Sequence, residues 1–384
     1  MKVKVIYIAV YDNNKKSGVS KKIMAQIRAL KQKGVDAQLV MLSREKIEFP
    51  GELDVQFYKA IVPPFRSTRE KIQFTRDFAN AIAENAQTCD ILYCRGVVPS
   101  PFLLKAMKRE RRAGIVFEIQ SIAENEARIR GSRMNLLMSR LFLPGILKQC
   151  DGIVGVTEEI TRHYIAVSGV WDKLHLTNPN GIDVSSVPQR TPPDFDGKRL
   201  DLLCVAQVAK WHGLDRLIKG LAKYNGKTEV TLHIVGDGSE VPNLKKITND
   251  LKLGDRVVFH GFKTGVELDE LFDKCHIGIG SLAIHRAGAG SPLKSREYCA
   301  RGIPFTCSAY DDDFPYSFPY RLKVLSNESS IDISEVIEFA KRVYSDPEHP
   351  QKMRRYAEAN LDWSVKMRKL KDFLEKVLEE RSHR

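Results

Sequence analysis

The chain has 384 residues, more than one hydrophobic core usually holds, and this length predicts two domains. Its 43% hydrophobic and 28% charged residues are typical of a globular protein and exclude a disordered or collagen-like chain. The net charge of +13 lies mostly in residues 1–190, with 30 basic and 19 acidic side chains, against 31 and 29 in residues 191–384. This excess indicates an anionic partner of the first half: a phosphorylated ligand, a membrane surface or nucleic acid.

The seven cysteines are scattered and form no CxxC pair. This pattern predicts neither a zinc site nor a disulfide framework, and we expect reduced thiols in a cytoplasmic protein. The N-terminal residues predict a first strand rather than a signal peptide, and no apolar run is long enough to predict a membrane span.

Apolar strands alternate with amphipathic helices in the first half of the chain. The strand Val3–Val10 is followed by a polar loop with Gly18 and a helix over Lys22–Lys33. Further strands are predicted over Ala37–Met41, Ile91–Tyr93, Ile115–Ile119 and Gly152–Val156. This alternation predicts a parallel sheet covered by helices on both faces.

The second half repeats this alternation, beginning with the strand Leu202–Val208 and the helix Leu214–Tyr224. We therefore predict an α/β protein with two Rossmann-like, doubly wound parallel-sheet domains that face a central cleft. The N-terminal domain is predicted over residues 1–183, a Pro-rich linker over 184–198 and the C-terminal domain over 199–360. An amphipathic helix in 361–384 is expected to pack back toward the N-terminal domain.

A glycine-rich loop that leads into a helix is the strongest local signal for a ligand site. Gly288 and Gly290 precede Ser291, a candidate N-cap, and Pro292, at the predicted first position of the helix Leu293–Arg301. Loop amides and the helix dipole then favour an anion such as a diphosphate.

Two charged side chains lie one turn into this helix. Lys294 adds a positive charge, and the Glu297 carboxylate is a candidate acceptor for sugar or ribose hydroxyls. An ordinary turn with a helix cap and a solvated Glu297 is the alternative.

A second polar loop follows the first strand of the C-terminal domain. Gln207, Lys210 and His212 crowd this loop, at the sheet edge where α/β proteins bind phosphates. The alternative is a surface loop with Trp211 packed inward.

Taken in order, these pieces resemble the GT-B glycosyltransferases, specifically the retaining family 4. The resemblance covers about residues 1–380 and is most specific in the C-terminal half. It is carried by the Gly18 loop, DGIVGVT (151–157), NPNGID (178–183), HGLDRLI (212–218), HIVGDG (233–238), VVFHGF (257–262) and SPLKSREYCARGIP (291–304). The resemblance implies sugar transfer from a UDP- or GDP-linked donor, without a further cofactor, to a hydroxyl acceptor held mainly by the N-terminal domain.

The resemblance also implies roles for residues of the donor side. The family has Arg and then Lys-Gly after the first C-terminal strand, where this chain has Gln207 and His212-Gly213, so Lys210 is the expected cation. The loop Gly288–Leu293 is expected to bind the diphosphate through its backbone, and Glu297 the ribose hydroxyls. Gly261 and Phe262 are expected to border the nucleobase.

One family carboxylate is missing from this chain. The first glutamate of the Glu-x7-Glu motif corresponds to Ala289, which leaves the sugar preference and the catalytic geometry open. His285 and Arg286 are candidates to replace its contacts. In the N-terminal domain Glu118 or Gln120 occupies the sheet edge where the family often has a histidine, although a lone strand glutamate also serves as a structural hydrogen-bonding residue.

The expected mechanism is electrostatic: cations and amides stabilise the charge on the departing nucleoside diphosphate. Glu118, Gln120, His285 and Lys210 are the candidate catalytic residues. No metal is expected, because the DxD-like run Asp311-Asp312-Asp313 is interpreted as a solvated turn. Retention of the anomeric configuration is implied by the resemblance alone.

The basic segment Arg128–Lys148 carries five basic side chains, no acidic one and an apolar stripe. This pattern is typical of a helix on an anionic membrane, and the alternative is a core-facing helix with solvated arginines. No recognition motif accompanies the charge, so nucleic acid is not expected as a partner. The sequence thus predicts a glycosyltransferase acting on a lipid-linked or surface-polysaccharide precursor. A catalytically silent partner subunit and a sugar-nucleotide epimerase of the same fold are the alternatives.

Overall fold

The computed structural model describes residues 3–11, 18–46, 55–129, 131–190, 192–288 and 290–383. By its internal contacts the chain forms two units. The first comprises residues 1–181, 289–291 and 363–384, and the second comprises residues 182–288 and 292–362. Among the described residues, no helix is both long and apolar enough to cross a bilayer.

The first unit is built on a seven-stranded sheet in which every pair of neighbours is parallel. The strands are β1 (Lys4–Val10), β2 (Asp36–Ser43), β3 (Val55–Lys59), β4 (Ile91–Arg95), β5 (Gly114–Ile119), β6 (Gly152–Gly155) and β7 (His175–Thr177). Their order is β3-β2-β1-β4-β5-β6-β7, so the chain reverses direction of winding beside β1. Such reversal points lie beside the ligand sites of doubly wound sheets.

Helices cover both faces of this sheet because its central strands are apolar on both sides. They are α1 (Gly18–Gln32), α2 (Thr68–Asn85), α3 (Pro101–Met107), α4 (Ala123–Ile129), α5 (Arg133–Gln149) and α6 (Glu158–Ser168). One face buries Leu92 and Phe117 beneath α2, α3 and α5, and the other buries Val5 and Val116 beneath α1.

The second unit contains a six-stranded parallel sheet in the order β10-β9-β8-β11-β12-β13. Its strands are β8 (Arg199–Val205), β9 (Glu229–Val235), β10 (Val257–Gly261), β11 (Ile277–Ile279), β12 (Phe305–Cys307) and β13 (Arg321–Lys323). Its helices are α7 (Leu214–Lys223), α8 (Val241–Asp250), α9 (Val266–Lys274), α10 (Leu293–Arg301), α11 (Ile333–Tyr344) and α12 (His349–Asn360).

The C-terminal helix α13 (Trp363–Ser382) belongs to the first unit. Its apolar side, with Met367 and Leu370, packs in one cluster with Ile23 and Ile27 of α1. The seven cysteines are free and buried. The prediction of two doubly wound parallel-sheet domains is confirmed.

Candidate functional site

The carboxyl edge of the second sheet is shaped by close backbone contacts between loops. A Cβ on Gly236, which follows β9, would lie 1.9 Å from the carbonyl oxygen of Ala206, which follows β8. Gly213 has a positive φ of 63°, and a Cβ there would lie 2.9 Å from the Ala283 Cβ. Only glycine fits these positions, so the loops after β8, β9 and β11 meet at one edge.

His212 lies in this edge and is buried. Its Nδ1 accepts a hydrogen bond from the Ala209 N–H at 3.0 Å, which fixes a ring with an unprotonated Nδ1. Burial, together with the nearby Lys294 ammonium, lowers the pKa of His212 to about 3. The imidazole is therefore neutral and does not supply the positive charge of the family's lysine.

Lys294 lies in the first turn of α10, and its ammonium is buried. Within the part of the chain that the structure describes, Nζ has no hydrogen-bond partner. Burial lowers the pKa of Lys294. The sequence placed a charge at this position, but it gave no sign that the ammonium would be buried.

Lys210 and Gln207 are both exposed in the loop after β8. Lys210 opens a 3₁₀ turn that ends at His212, and its carbonyl oxygen accepts a hydrogen bond from Arg286 at 3.0 Å. The structure therefore brings Lys210 and His212 close to the segment that contains His285. Whether Lys210 contacts a ligand stays a prediction.

His285 and Arg286 are engaged within the protein. Arg286 donates to both carboxylate oxygens of Asp215, at 2.8 and 3.0 Å, and also pairs with Glu328. The ring nitrogens of His285 contact Ser326 at 3.0 Å and Glu328 at 2.6 Å. These bonds lower the pKa of Glu328 to about 2, and they occupy the groups expected to replace the missing glutamate.

The glycine-rich loop differs from its sequence interpretation at the helix start. The N-cap of α10 is Pro292, without a side-chain cap, so the prediction of Ser291 as N-cap is wrong. The Ser291 hydroxyl instead accepts from the Asn180 N–H at 3.1 Å, and its carbonyl accepts from Asn180 Nδ2 at 2.7 Å. The NPNGID segment therefore holds this loop in place through Asn180, a role that its turn-like sequence does not indicate.

The other predicted donor residues lie around these loops. Gly288 has a φ of 89°, a conformation that favours glycine, while Gly290 has open space around it. Leu293 is partly exposed at the start of α10, and Ala289 lies outside the described residues. Glu297 accepts from Arg301 Nε at 3.1 Å, so it is paired rather than simply solvated.

Gly261 and Phe262 lie at the carboxyl end of β10. Gly261 has a φ of 66° and turns the chain out of the strand, and the Phe262 side chain is 72% exposed. Trp211 is also exposed, so the interpretation of this residue as packed inward is wrong. Both rings are apolar surfaces next to polar loops.

The acidic run after β12 is not a solvated turn. Asp311 and Asp313 both pair with Arg296 of α10, and the Arg296 side chain is completely buried. A buried guanidinium needs carboxylate partners, which explains why this run folds inward. The prediction of a solvated turn is therefore wrong for Asp311 and Asp313.

In the first unit, Glu118 is buried between the sheet and α1. Its carboxylate accepts from Tyr7 Oη at 2.9 Å and Gln26 Nε2 at 2.8 Å, and it pairs with Lys22 at 3.2 Å. Lys22 also donates to Gln120 Oε1 at 2.7 Å. Glu118 and Gln120 are thus brought together through Lys22, which lies in α1, the helix that begins at Gly18.

Three further polar side chains lie around this network, and the sequence singled out only one of them, Gln120. Arg95 Nε and Gln120 Nε2 are buried and have no hydrogen-bond partner within the described residues, and the buried Tyr93 hydroxyl lies beside the Glu118 carboxylate. In the strand register, Tyr7 of β1 lies beside Tyr93 of β4, and Arg95 of β4 lies beside Glu118 of β5. This end of the sheet is therefore rich in hydrogen-bond donors.

Helix α5 exposes an apolar stripe as well as basic residues. Met134, Leu137 and Leu141, spaced for one helix face, are 61%, 49% and 59% exposed. Arg133 and Arg140 are exposed on the same helix. Its opposite face supplies core residues such as Leu143, Ile146 and Leu147.

Two family models match the sequence and between them span both units. The model of glycosyl transferases group 1 matches residues 188–360, and the model of glycosyltransferase family 4 matches residues 16–186. A search of curated proteins gave no match.

Solved structures with the same fold cover nearly the whole chain. The lipopolysaccharide outer core galactosyltransferase WaaB, in its apo form, has a TM-score of 0.68 and 15% identity over 97% of this chain and 99% of its own. Alr3699/HepE from Anabaena in complex with UDP has a TM-score of 0.66 and 14% identity over 97% of this chain and 100% of its own.

A UDP-forming α,α-trehalose-phosphate synthase from Burkholderia xenovorans has a TM-score of 0.65 and 14% identity over 98% of this chain and 99% of its own. At these identities the structural likeness shows the fold, and the family models carry the assignment. The chain belongs to the GT-B glycosyltransferases of the group 1 and family 4 type.

Proposed function

We propose that this protein transfers a sugar from a nucleoside-diphosphate donor, UDP- or GDP-linked, to a hydroxyl of a lipid-linked or surface-polysaccharide precursor. The observation that carries the proposal is the match of the group 1 model to residues 188–360. That segment contains every predicted donor-side residue except Gly18. UDP in the Anabaena structure supports a uridine donor more than a guanosine one.

We propose a metal-independent reaction with retention of configuration. The departing diphosphate carries the developing negative charge, and the amides at the start of α10, together with a nearby lysine, stabilise it. Asp311 and Asp313 support the absence of a metal from this role, because both are engaged with Arg296. The proposal that the anomeric configuration is retained rests on family membership.

Glu118 is proposed as a positioning residue rather than a base. Its burial and its bonds to Tyr7, Gln26 and Lys22 leave its carboxylate enclosed. Gln120, held by Lys22 at the end of β5, is the group we propose to contact substrate.

A thermal-shift panel of UDP, GDP, ADP and dTDP tests the donor assignment. A ligand that binds only the native state raises the apparent stability in proportion to its affinity, so one nucleotide is expected to stand out. Sugar-nucleotide turnover then separates the alternatives. Transfer that requires a saccharide acceptor supports the proposal, epimerisation without an acceptor indicates the epimerase, and binding without turnover indicates a silent partner subunit.

We propose that α5 holds the enzyme on an anionic membrane that carries the acceptor. Its exposed Met134, Leu137 and Leu141 supply apolar surface for the acyl boundary, and Arg133 and Arg140 supply charge for anionic headgroups. These two features on one helix favour a lipid surface over a protein partner, because the arginines complement phosphate headgroups.

Vesicle co-sedimentation tests this surface. Leu137→Gln with Leu141→Gln, and separately Arg133→Gln with Arg140→Gln, are each expected to reduce binding to phosphatidylglycerol vesicles, while nucleotide affinity is unchanged. Matched replacements on α2, Ile72→Gln and Arg69→Gln, are the control, since those residues are exposed on another helix. Equal loss from both helices, or none from either, contradicts the proposal.

A further inference from the structure

The first turn of α10 places a buried ammonium at the carboxyl edge of the second sheet. Lys294 Nζ has no hydrogen-bond partner among the described residues. The ammonium is near enough to His212 to contribute to the low pKa of that ring, and its other electrostatic neighbour is Cys204 of β8. Both neighbours are neutral, so among the described residues no anion compensates this cation.

Such an arrangement is unfavourable for the protein alone. Burying an unpaired ammonium costs free energy, and proteins usually pair such groups or replace them with apolar ones. A methionine side chain would occupy a similar volume without this cost. A ligand that supplies the missing negative charge would therefore stabilise Lys294 at this position.

We propose that Lys294 is the main cation that binds the diphosphate of the donor. This inference rests on the proposed function and names a residue that takes the place of the family's cations after β8. Lys294 lies in the first turn of α10, where the free amides and the helix dipole also favour an anion, so the ammonium and the dipole act together. Binding the diphosphate gives Lys294 its missing counter-ion and favours its protonated form.

The other nearby cations are less suited to this role. Lys210 is exposed, so water screens its charge, and Arg286 is already paired with Asp215 and Glu328. His212 is neutral because its pKa is about 3. Among the described residues of this edge, Lys294 thus carries a charge that is both desolvated and uncompensated.

The test compares Lys294→Met with the unchanged protein by calorimetry with UDP and UMP. If the thermal-shift panel favours another base, the matching diphosphate and monophosphate are used. We expect Lys294→Met to weaken UDP binding roughly 10- to 100-fold, as for loss of a charged hydrogen bond, and to weaken UMP binding much less. Lys227→Met, at an exposed lysine of the same unit, controls for the loss of one positive charge.

Thermal unfolding of the free proteins supplies a second readout. Lys294→Met is expected to raise the melting temperature by a few degrees, since it removes a buried unpaired charge, while Lys227→Met leaves the temperature unchanged. Higher stability together with weaker UDP binding supports the inference. A structural lysine would give the opposite change in stability, so a destabilised or unfolded Lys294→Met overturns it.

The failure of each proposal has its own signature. If the unchanged protein binds none of the four nucleoside diphosphates, both the proposed function and the Lys294 inference are wrong. If it binds one of them and Lys294→Met retains the same preference for diphosphate over monophosphate, only the inference is wrong. A loss of that preference in Lys210→Met alone assigns the role to Lys210 instead.

Discussion

His212 shows how one residue can keep its position in a family motif and change its chemistry. The family pattern has a lysine here, whereas this chain has an imidazole that accepts the Ala209 N–H. Burial and the Lys294 charge both disfavour its protonation. The proposed donor cation therefore lies in the first turn of α10 rather than at the position of the family's lysine.

This neutral imidazole makes the stability depend on pH. The pKa of His212 is about 3 in the folded protein, below the usual 6.5, so the unfolded chain binds a proton first as the pH falls. The stabilisation is complete above about pH 6.5 and is lost progressively toward pH 3, by about 1.4 kcal/mol per pH unit. His212→Asn keeps a hydrogen-bond acceptor and is expected to remove this contribution.

Urea unfolding at several pH values between about 4 and 8 measures the change. The free energies of unfolding of the His212→Asn and unchanged proteins are expected to converge as the pH falls. The His175→Asn variant, at an exposed histidine of the other unit, is measured alongside as the control. Parallel curves for His212→Asn would show that this imidazole titrates normally in the folded protein.

The sequence predicts the bounds of some helices and strands well and misses others entirely. The bounds of α10, Leu293–Arg301, follow from the sequence because the glycine-rich loop precedes it and Gly302 ends it with a φ of 83°. The edge strand β3 (Val55–Lys59) was not predicted, since its residues are mostly half-buried and lack the apolar run of a central strand. Local pattern thus predicts the central elements better than the edges.

The contacts between elements were the least predictable part of the candidate site. Arg296 in α10 pairs with Asp311 and Asp313, which belong to a turn after the next strand. Nothing local to either segment indicates this pairing, because the acidic run alone is typical of a solvated turn. The same holds for Ser291 and Asn180, which are far apart in the chain. The residue types of the site were predictable, but their partners depend on the tertiary fold.

At the scale of the whole molecule, positive charge serves two different proposed sites, the donor site and the membrane surface. Residues 1–190 carry 30 basic and 19 acidic side chains, while residues 191–384 are nearly balanced with 31 and 29. The proposed donor cation is a single buried ammonium, and the proposed membrane surface uses two exposed arginines, Arg133 and Arg140. Salt acts very differently on these two arrangements, since it screens exposed charges much more than buried ones.

Raising the NaCl concentration from about 50 mM to about 500 mM is therefore expected to separate the two activities. Co-sedimentation with phosphatidylglycerol vesicles should fall steeply, because the Debye length shrinks to a few Å and the arginines of α5 lose their attraction to the headgroups. UDP affinity, measured by calorimetry over the same range, should change by less than about threefold, since the buried Lys294 ammonium is little screened. In the double variant Arg133→Gln with Arg140→Gln, the remaining vesicle binding should be nearly independent of salt. The apolar stripe of Met134, Leu137 and Leu141 then accounts for that binding. A parallel loss of UDP and vesicle binding would instead mean that exposed charge serves both, and that the donor cation is Lys210 rather than a buried group.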